Sequence, residues 1–176
     1  MSNIDPKVAG AVVAMMLCCS SSSAAALMMG GGRKKYRYVR VGRTKIADDN
    51  ALNLTEVEVL AGGVNVAAGK TVTGKNLYSP TFPHRFLTDG NMSNFAHGLN
   101  DPEEWFQIDL GREYDIDKVV VTNRRDCCQG RAINLKIQLS DSADMNSPKS
   151  SRVITAAEAP RATFTWNVPN DVLTAA

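Results

Sequence analysis

Apolar and polar residues alternate in short bursts along most of this chain, and Gly, Pro, Asn and Asp separate the bursts. Tyr36 to Val41 alternates, and Leu52 to Val59 reads LNLTEVEV. In that second run Leu52 and Leu54 share one parity, whereas Val57 and Val59 have the other, so the pattern slips at Thr55-Glu56. A one-residue slip inside a strand predicts a β-bulge, a device that re-aims side chains. VNVAAGKTVTGKN follows, then a Pro-containing loop from Ser79 to His84 and the segment FLTDGNMSNFAH from Phe86 to His97. Glu104 to Leu110 (EWFQIDL) and Tyr114 to Thr122 read as strands. Ile133, Leu135, Ile137 and Leu139 alternate cleanly, Asp141 to Ser151 is polar and reads as a loop, and Phe164, Trp166 and Val168 mark a last strand. Many short strands with turn signals about every ten residues predict an all-β fold, an antiparallel β-sandwich.

The first 32 residues break this pattern. Val8 to Gly32 carries no charge: VAGAVVAMMLCC is apolar, four serines follow, and AAALMMGGG closes the stretch. The length suits a transmembrane helix, which needs about 20 residues. An apolar run followed by small residues also describes a signal peptide, and a low-complexity tail is a third reading. Cys18 and Cys19 would then be candidates for acylation at membrane depth. Gly30-Gly31-Gly32 ends any helix. The chain therefore divides into 1–32, an apolar N-terminal helix or tail acting as anchor or signal, and 33–176, the sandwich. A membrane-anchored or secreted surface location follows from that division.

Charge and cysteine usage narrow the chemistry. Lys and Arg number 20 against 18 Asp and Glu, so no global pull on nucleic acid is expected. Arg33 to Lys45 nevertheless holds seven basic residues and no acid. That run reads either as a lipid-headgroup patch or as a solvated flank plus the outer face of one strand. The four cysteines form two adjacent pairs, Cys18-Cys19 and Cys127-Cys128, and the only histidines are His84 and His97. Neighbouring cysteines with so few histidines argue against zinc. No Ser/His/Asp order, paired-carboxylate signature or phosphate loop stands out, so an enzyme is not expected.

The densest chemistry lies in Asn123-Arg124-Arg125-Asp126-Cys127-Cys128-Gln129-Gly130-Arg131. Strand-like runs flank it, so it forms a loop on a rigid scaffold. Asp126 can pair with one or both neighbouring arginines and fix their forks. Two adjacent cysteines, if oxidised, make a small ring with a hard apolar face. Guanidinium donors beside a flat apolar patch suit a sugar.

The string NRRDCCQGR resembles the fucolectins, the eel-agglutinin type of fucose-binding lectin on a discoidin-like β-sandwich, a jelly roll. Their motif is His, twenty-six residues, then Arg-x-Asp-x-x-x-x-Arg/Lys; His97, Arg124, Asp126 and Arg131 match it. The resemblance implies that His97, Arg124 and Arg131 hydrogen-bond the sugar, that Asp126 orients the arginines, and that a Cys127–Cys128 disulfide packs on the ring. SNFAHG also resembles a family stretch SNFYHG whose histidine is not the sugar ligand, with Ala96 where a tyrosine would line the pocket. The resemblance further implies a Ca2+ ion held by the carboxylates of Glu56 and Asp89, the backbone oxygen of Asn91 and a side-chain oxygen of Ser93, with Asn94 the rival.

In discoidin-like domains a segment like YVRV…LNLTEVEV comes last, whereas here it comes first. This order reads as a circular permutation or as a fragment of a tandem array. The function implied is a carbohydrate-binding lectin domain, for fucose or a related sugar, held at a membrane or surface. The alternative is a non-catalytic structural protein whose sandwich binds protein or lipid. The expected partners are fucosylated glycans and a membrane, without nucleic acid, and a homo-oligomer is left open. An apolar anchor followed by a basic flank is also similar to some virion proteins of large DNA viruses.

Overall fold

The computed structural model describes residues 33–43 and 51–169. The apolar stretch Val8 to Gly32, with Cys18 and Cys19, lies outside them. Among the described residues no helix is long and apolar enough to cross a membrane.

Ten strands make up the described part: β1 Tyr36–Arg43, β2 Asn53–Ala61, β3 Val64–Asn65, β4 Thr71–Gly74, β5 Ala96–His97, β6 Trp105–Tyr114, β7 Lys118–Asn123, β8 Leu135–Ser140, β9 Ser150–Val153 and β10 Thr163–Asn167. Two short 3-10 turns, His84–Thr88 and Gln129–Ala132, interrupt them. One sheet has the order β4-β6-β1-β8-β9 and the other β10-β7-β2-β3, with β5 also on β2. Every pairing is antiparallel. The result is the two-sheet antiparallel sandwich that the alternation predicts, with β1 and β2 in the interior of the two sheets.

Alternation decides which side chains enter the core. Val39 and Val41 of β1, Phe106, Ile108 and Leu110 of β6, and Leu135, Ile137 and Leu139 of β8 are buried from one sheet. Val57 and Val59 of β2, Val119 and Val121 of β7, and Phe164 and Trp166 of β10 meet them from the other. Each such side chain contributes roughly 1.5–3 kcal/mol on full burial.

The slip at Thr55-Glu56 is a bulge. Leu54 pairs with Asn123 and Glu56 with the adjacent Thr122, so Thr55 is the extra residue. Leu54, Thr55, Glu56 and Val57 are all buried, which strict alternation would not allow. The Glu56 carboxylate Oε2 accepts the Gly90 N–H at 3.2 Å.

Three expectations need correction. Tyr114 ends β6, opposite Tyr36, and β7 begins only at Lys118, because the chain turns through Asp115 to Asp117. Ile133 caps a 3-10 turn, and β8 starts at Leu135. The segment read as a loop up to Ser151 already enters β9 at Ser150; SSRV is a polar edge strand with one neighbour, β8, so it needs no apolar face. The basic run lies partly on β1 and partly before it: Arg37 on the strand grips Asp109 through two hydrogen bonds of 2.7 and 2.8 Å, and Arg33 ahead of it reaches Asp115 and Asp117 at 3.0 and 3.2 Å.

Deleting Thr55 leaves Leu52, Leu54, Val57 and Val59 on one parity and moves Glu56 to the other. The variant is expected to keep its strand signal in circular dichroism and to lose hydrogen-exchange protection at the Gly90 amide. Unchanged protection would show that the bulge does not position Glu56.

Candidate functional site

Three loops converge on one end of β2. Asn53 pairs with His97 of β5, and Leu54 pairs with Asn123 at the end of β7. Asn123 is fully buried. Its Nδ2 donates to the carbonyls of Gln129, Ala159 and Arg161 at 2.9, 3.1 and 3.1 Å, while its Oδ1 accepts the Arg124 N–H at 2.9 Å. One carboxamide thus ties both ends of the arginine loop to the sheet.

Within the loop, Arg124 donates through Nε and Nη2 to the two oxygens of Asp126 at 2.7 and 2.8 Å. That fork holds the Asp126 carboxyl down at about 2. The Arg124 guanidinium carbon lies 3.9 Å over the Phe95 ring, which stacks on Phe82 at 4.7 Å. Such layering fixes a cation on a π face. Cys127 and Cys128 are joined in a disulfide. Cys128 adopts φ +65°, and its carbonyl accepts the Arg131 N–H at 3.0 Å, which opens the turn carrying Arg131.

His97 is only 7% exposed. Its Nδ1 lies 2.7 Å from the Gly98 carbonyl, a contact that requires the proton on Nδ1. Burial lowers its pKa; the Gly98 bond opposes this, and the charges of Arg124, Arg131 and Arg43 lower it further. The ring is therefore neutral near pH 7, with Nε2 as an acceptor. Tyr78 packs against it at 4.3 Å between centroids and is 58% exposed. His97, Arg124 and Arg131 are thus brought within electrostatic reach of one another, with an acceptor among donors and aromatic rings alongside.

Several neighbours escaped the sequence reading. Arg43 is buried and donates from Nη2 to the carbonyls of Ala51 and Arg131 at 2.9 and 2.8 Å. Burial, then Arg131, push its pKa down to about 10. Its parity was the available signal, since it follows Val39 and Val41 on the inward face of β1. Glu104, fully buried, accepts the Asn76 N–H and Nδ2–H at 2.9 Å each and the Leu99 N–H at 3.2 Å. It braces the two segments bearing Tyr78 and His97, and nothing in its local string announces this.

The candidate metal loop lies beside the arginine loop. Asp89 accepts the Asn91 N–H through Oδ1 and the Asn94 Nδ2–H through Oδ2, both at 2.8 Å. Ser93 donates its backbone N–H to Asn91 Oδ1 at 3.0 Å, while its side chain is exposed. Asn94 Oδ1 is buried with no hydrogen-bond partner. Glu56 is 1% exposed, and its pKa is raised to about 7 by burial, with Asp89 adding to the rise. Among the described residues no group of three or more His, Cys, Asp and Glu could hold a metal. Two carboxylates with an orphaned amide oxygen and backbone carbonyls do fit a hard cation, which takes oxygen ligands of both kinds. A cleft of about 440 Å³ separates this loop from Arg125 and Asp126.

The model of the NedA-like, galactose-binding domain family matches residues 86–174. The chain belongs to this family. The match carries His97, the arginine loop and Asp89, whereas β1 and β2, with Arg43 and Glu56, precede it. Among curated proteins, Fucolectin-1 of Anguilla japonica is 39% identical over 67 residues, which is 35% of this chain and 38% of that protein. Fucolectin-6 of the same species is 33% identical over 78 residues, 40% of this chain and 42% of that protein. Fucolectin of Anguilla anguilla is 33% identical over 90 residues, 46% and 57% of the two chains. The chain thus spans about four tenths of the length of the first of these relatives. No solved structure matches the chain.

The Glu56 environment gives this family member a pH signature. A carboxyl raised from 4.5 to about 7 on folding leaves the native state binding more protons than the unfolded chain between those values. Stability is therefore complete below 4.5 and declines as pH rises through 7, by about 3 kcal/mol at most. His97, lowered on folding, acts oppositely below its ordinary 6.5. Urea melts with chelator present should show the decline in the wild type and a smaller or absent one in Glu56→Gln. An identical pH slope in both would contradict the assignment.

Proposed function

We propose that this protein is a non-catalytic, carbohydrate-binding lectin that takes fucose or a related sugar at the loop of Arg124 and Arg131. The observation that carries this reading is the neutral His97 acceptor within the fields of Arg124 and Arg131, two arginines whose shared loop also holds the Cys127–Cys128 disulfide. A sugar needs directional partners of both kinds for its hydroxyls and an apolar surface for its ring carbons. Guanidiniums donate, Nε2 of His97 accepts, and the disulfide is the apolar surface. The curated relatives named above are all fucolectins, which supports the same ligand class. Charged hydrogen bonds contribute roughly 1.5–3 kcal/mol each, which fits weak single-site binding made useful by multivalency.

Calcium belongs to the proposal as a structural ion. Glu56, Asp89, the Asn91 carbonyl and Asn94 Oδ1, or Ser93 in its stead, would hold it. It would neutralise the two carboxylates and brace the loop leading to His97. The disulfide suits an oxidising compartment, which supports a secreted or surface-held protein with Val8 to Gly32 as signal or anchor.

Arg124→Ala and Arg131→Ala are each expected to abolish detectable binding of a fucosylated probe, since each 1.4 kcal/mol is tenfold in affinity. Arg124→Lys should fail as well, because an ammonium cannot make the planar fork, whereas Arg131→Lys should bind more weakly but measurably. The melting midpoint should fall little in Arg124→Ala, because the ion pair opens to solvent on the Asp126 side and such pairs contribute about 0–1 kcal/mol. Unchanged binding in both alanine variants would refute the assignment.

Calcium at pH 7.5 should raise the wild-type melting midpoint, by mass action on the native state. It should leave Glu56→Gln and Asp89→Ala almost unmoved. Equal wild-type midpoints in calcium and in chelator would remove the ion from the account.

A further inference from the structure

The outer face of the β1 sheet carries a second polar cleft, of about 240 Å³, lined by Arg40, Gly42, Arg43, Lys75, Trp105 and Gln138, with the exposed Glu103 beside them. Its shape originates in β1. Gly42 sits opposite Trp105 in the β1–β6 pairing. A Cβ at Gly42 would fall 2.9 Å from Trp105 Cβ and 3.1 Å from the Glu104 carbonyl, so no side chain fits and the strand surface stays bare there.

Arg40, two residues earlier on the same face, lays its guanidinium carbon 4.3 Å over the Trp105 ring. Its Nε donates to Gln107 Oε1 at 2.8 Å, and its Nη2 reaches the Ala143 carbonyl at 3.5 Å. No carboxylate closes an ion pair with it among the described residues. Burial lowers its pKa and the charge of Asp144 opposes that, so this cation is partly desolvated without a matching anion in contact. Arg43 borders the cleft, but its guanidinium is committed to the carbonyls of Ala51 and Arg131 on the inward side of β1. Lys75 is already held by Asp101 at 2.9 Å.

We infer that this cleft binds the acidic group, carboxylate or sulfate, of a negatively charged sugar, at a site separate from the Arg124 loop. A guanidinium fixed flat on an aromatic ring presents its remaining N–H groups edge-on, the geometry that a planar or tetrahedral oxyanion accepts in pairs. The space exceeds what an inorganic oxyanion needs and is comparable with one pyranose ring. The Trp105 edge and the Gln138 amide are suited to the ring and its hydroxyls. Two sites of different charge preference on one sandwich would let the protein engage a glycan bearing both a neutral and an acidic sugar.

The test follows the indole N–H signals of Trp105 and Trp166 by NMR in the full chain, with glucuronate, glucose 6-sulfate, glucose and inorganic sulfate as probes. The acidic sugars should shift Trp105 saturably and leave the core Trp166 unmoved, and glucose should do neither. Arg40→Ala should weaken the response by about tenfold or more while the fucosylated probe still binds. Arg40→Lys, which keeps the charge and loses the fork, should weaken it as well and guards against a folding defect in the alanine variant. No Trp105 shift with either acidic sugar, or wild-type affinity retained in both Arg40 variants, would overturn the inference. Inorganic sulfate binding as tightly as the acidic sugars would overturn the sugar part and leave a plain oxyanion site.

Discussion

The register of β2 between Asn53 and Glu56 is the constraint on which the rest depends. Within four residues this strand pairs Asn53 with His97, pairs Leu54 with Asn123, and turns Glu56 inward to the Gly90 amide. The histidine and the arginine loop are therefore fixed relative to one another by pairing to one strand, the Asn123 carboxamide holds the arginine loop, and the Glu56 carboxylate ties the acidic loop to the same strand. A regular strand could not do this. Val57 and Val59 can face the core together with Leu52 and Leu54 only if one residue between them is left unpaired. Thr55 is that residue.

Electrostatics divides the labour among the cations. Arg124 is matched by Asp126 and layered on Phe95, so its fork is oriented before any ligand arrives. Preorganisation of this kind lowers the entropic cost of binding. His97 is kept neutral by burial and by the surrounding guanidiniums, so it complements donors with an acceptor. On the outer sheet face Arg40 is layered in the same way on Trp105, with an amide oxygen and a backbone carbonyl as its hydrogen-bond partners and no carboxylate among them. The same structural device, a guanidinium on a ring, thus occurs once with an internal anion and once without, and that difference separates a neutral-sugar reading from an acidic-sugar reading.

Much of this was legible in the sequence where burial imposes a period. The alternation of Leu135, Ile137 and Leu139, and of Phe164 and Trp166, marked core strands because a buried face enforces it. The parity slip at Thr55-Glu56 marked the bulge for the same reason. Strand β9 was not legible because a polar edge has no buried face to imprint a pattern. The paired cysteines and the Arg-x-Asp spacing pointed to the arginine loop, since close charges and adjacent thiols are rare without a reason. Asn123 and Glu104 were invisible as supports: an amide and a carboxylate acquire their partners from loops distant in sequence, and only the fold brings those carbonyls and N–H groups to them. Arg43 lay between these cases, a charge on an otherwise apolar parity.

The most direct test of the central claim is an NMR titration of the full chain with free L-fucose, observing the arginine Nε–H and histidine ring signals. Saturable shifts are expected at Arg124, Arg131 and the unprotonated Nε2 of His97 by about 50 mM sugar, within the range of weak single-site binding. Arg37, paired with Asp109 on the far side of β1, should not respond. Shifts absent from all three groups at that concentration, or equal at Arg37, would contradict a sugar site on the Arg124–Arg131 loop.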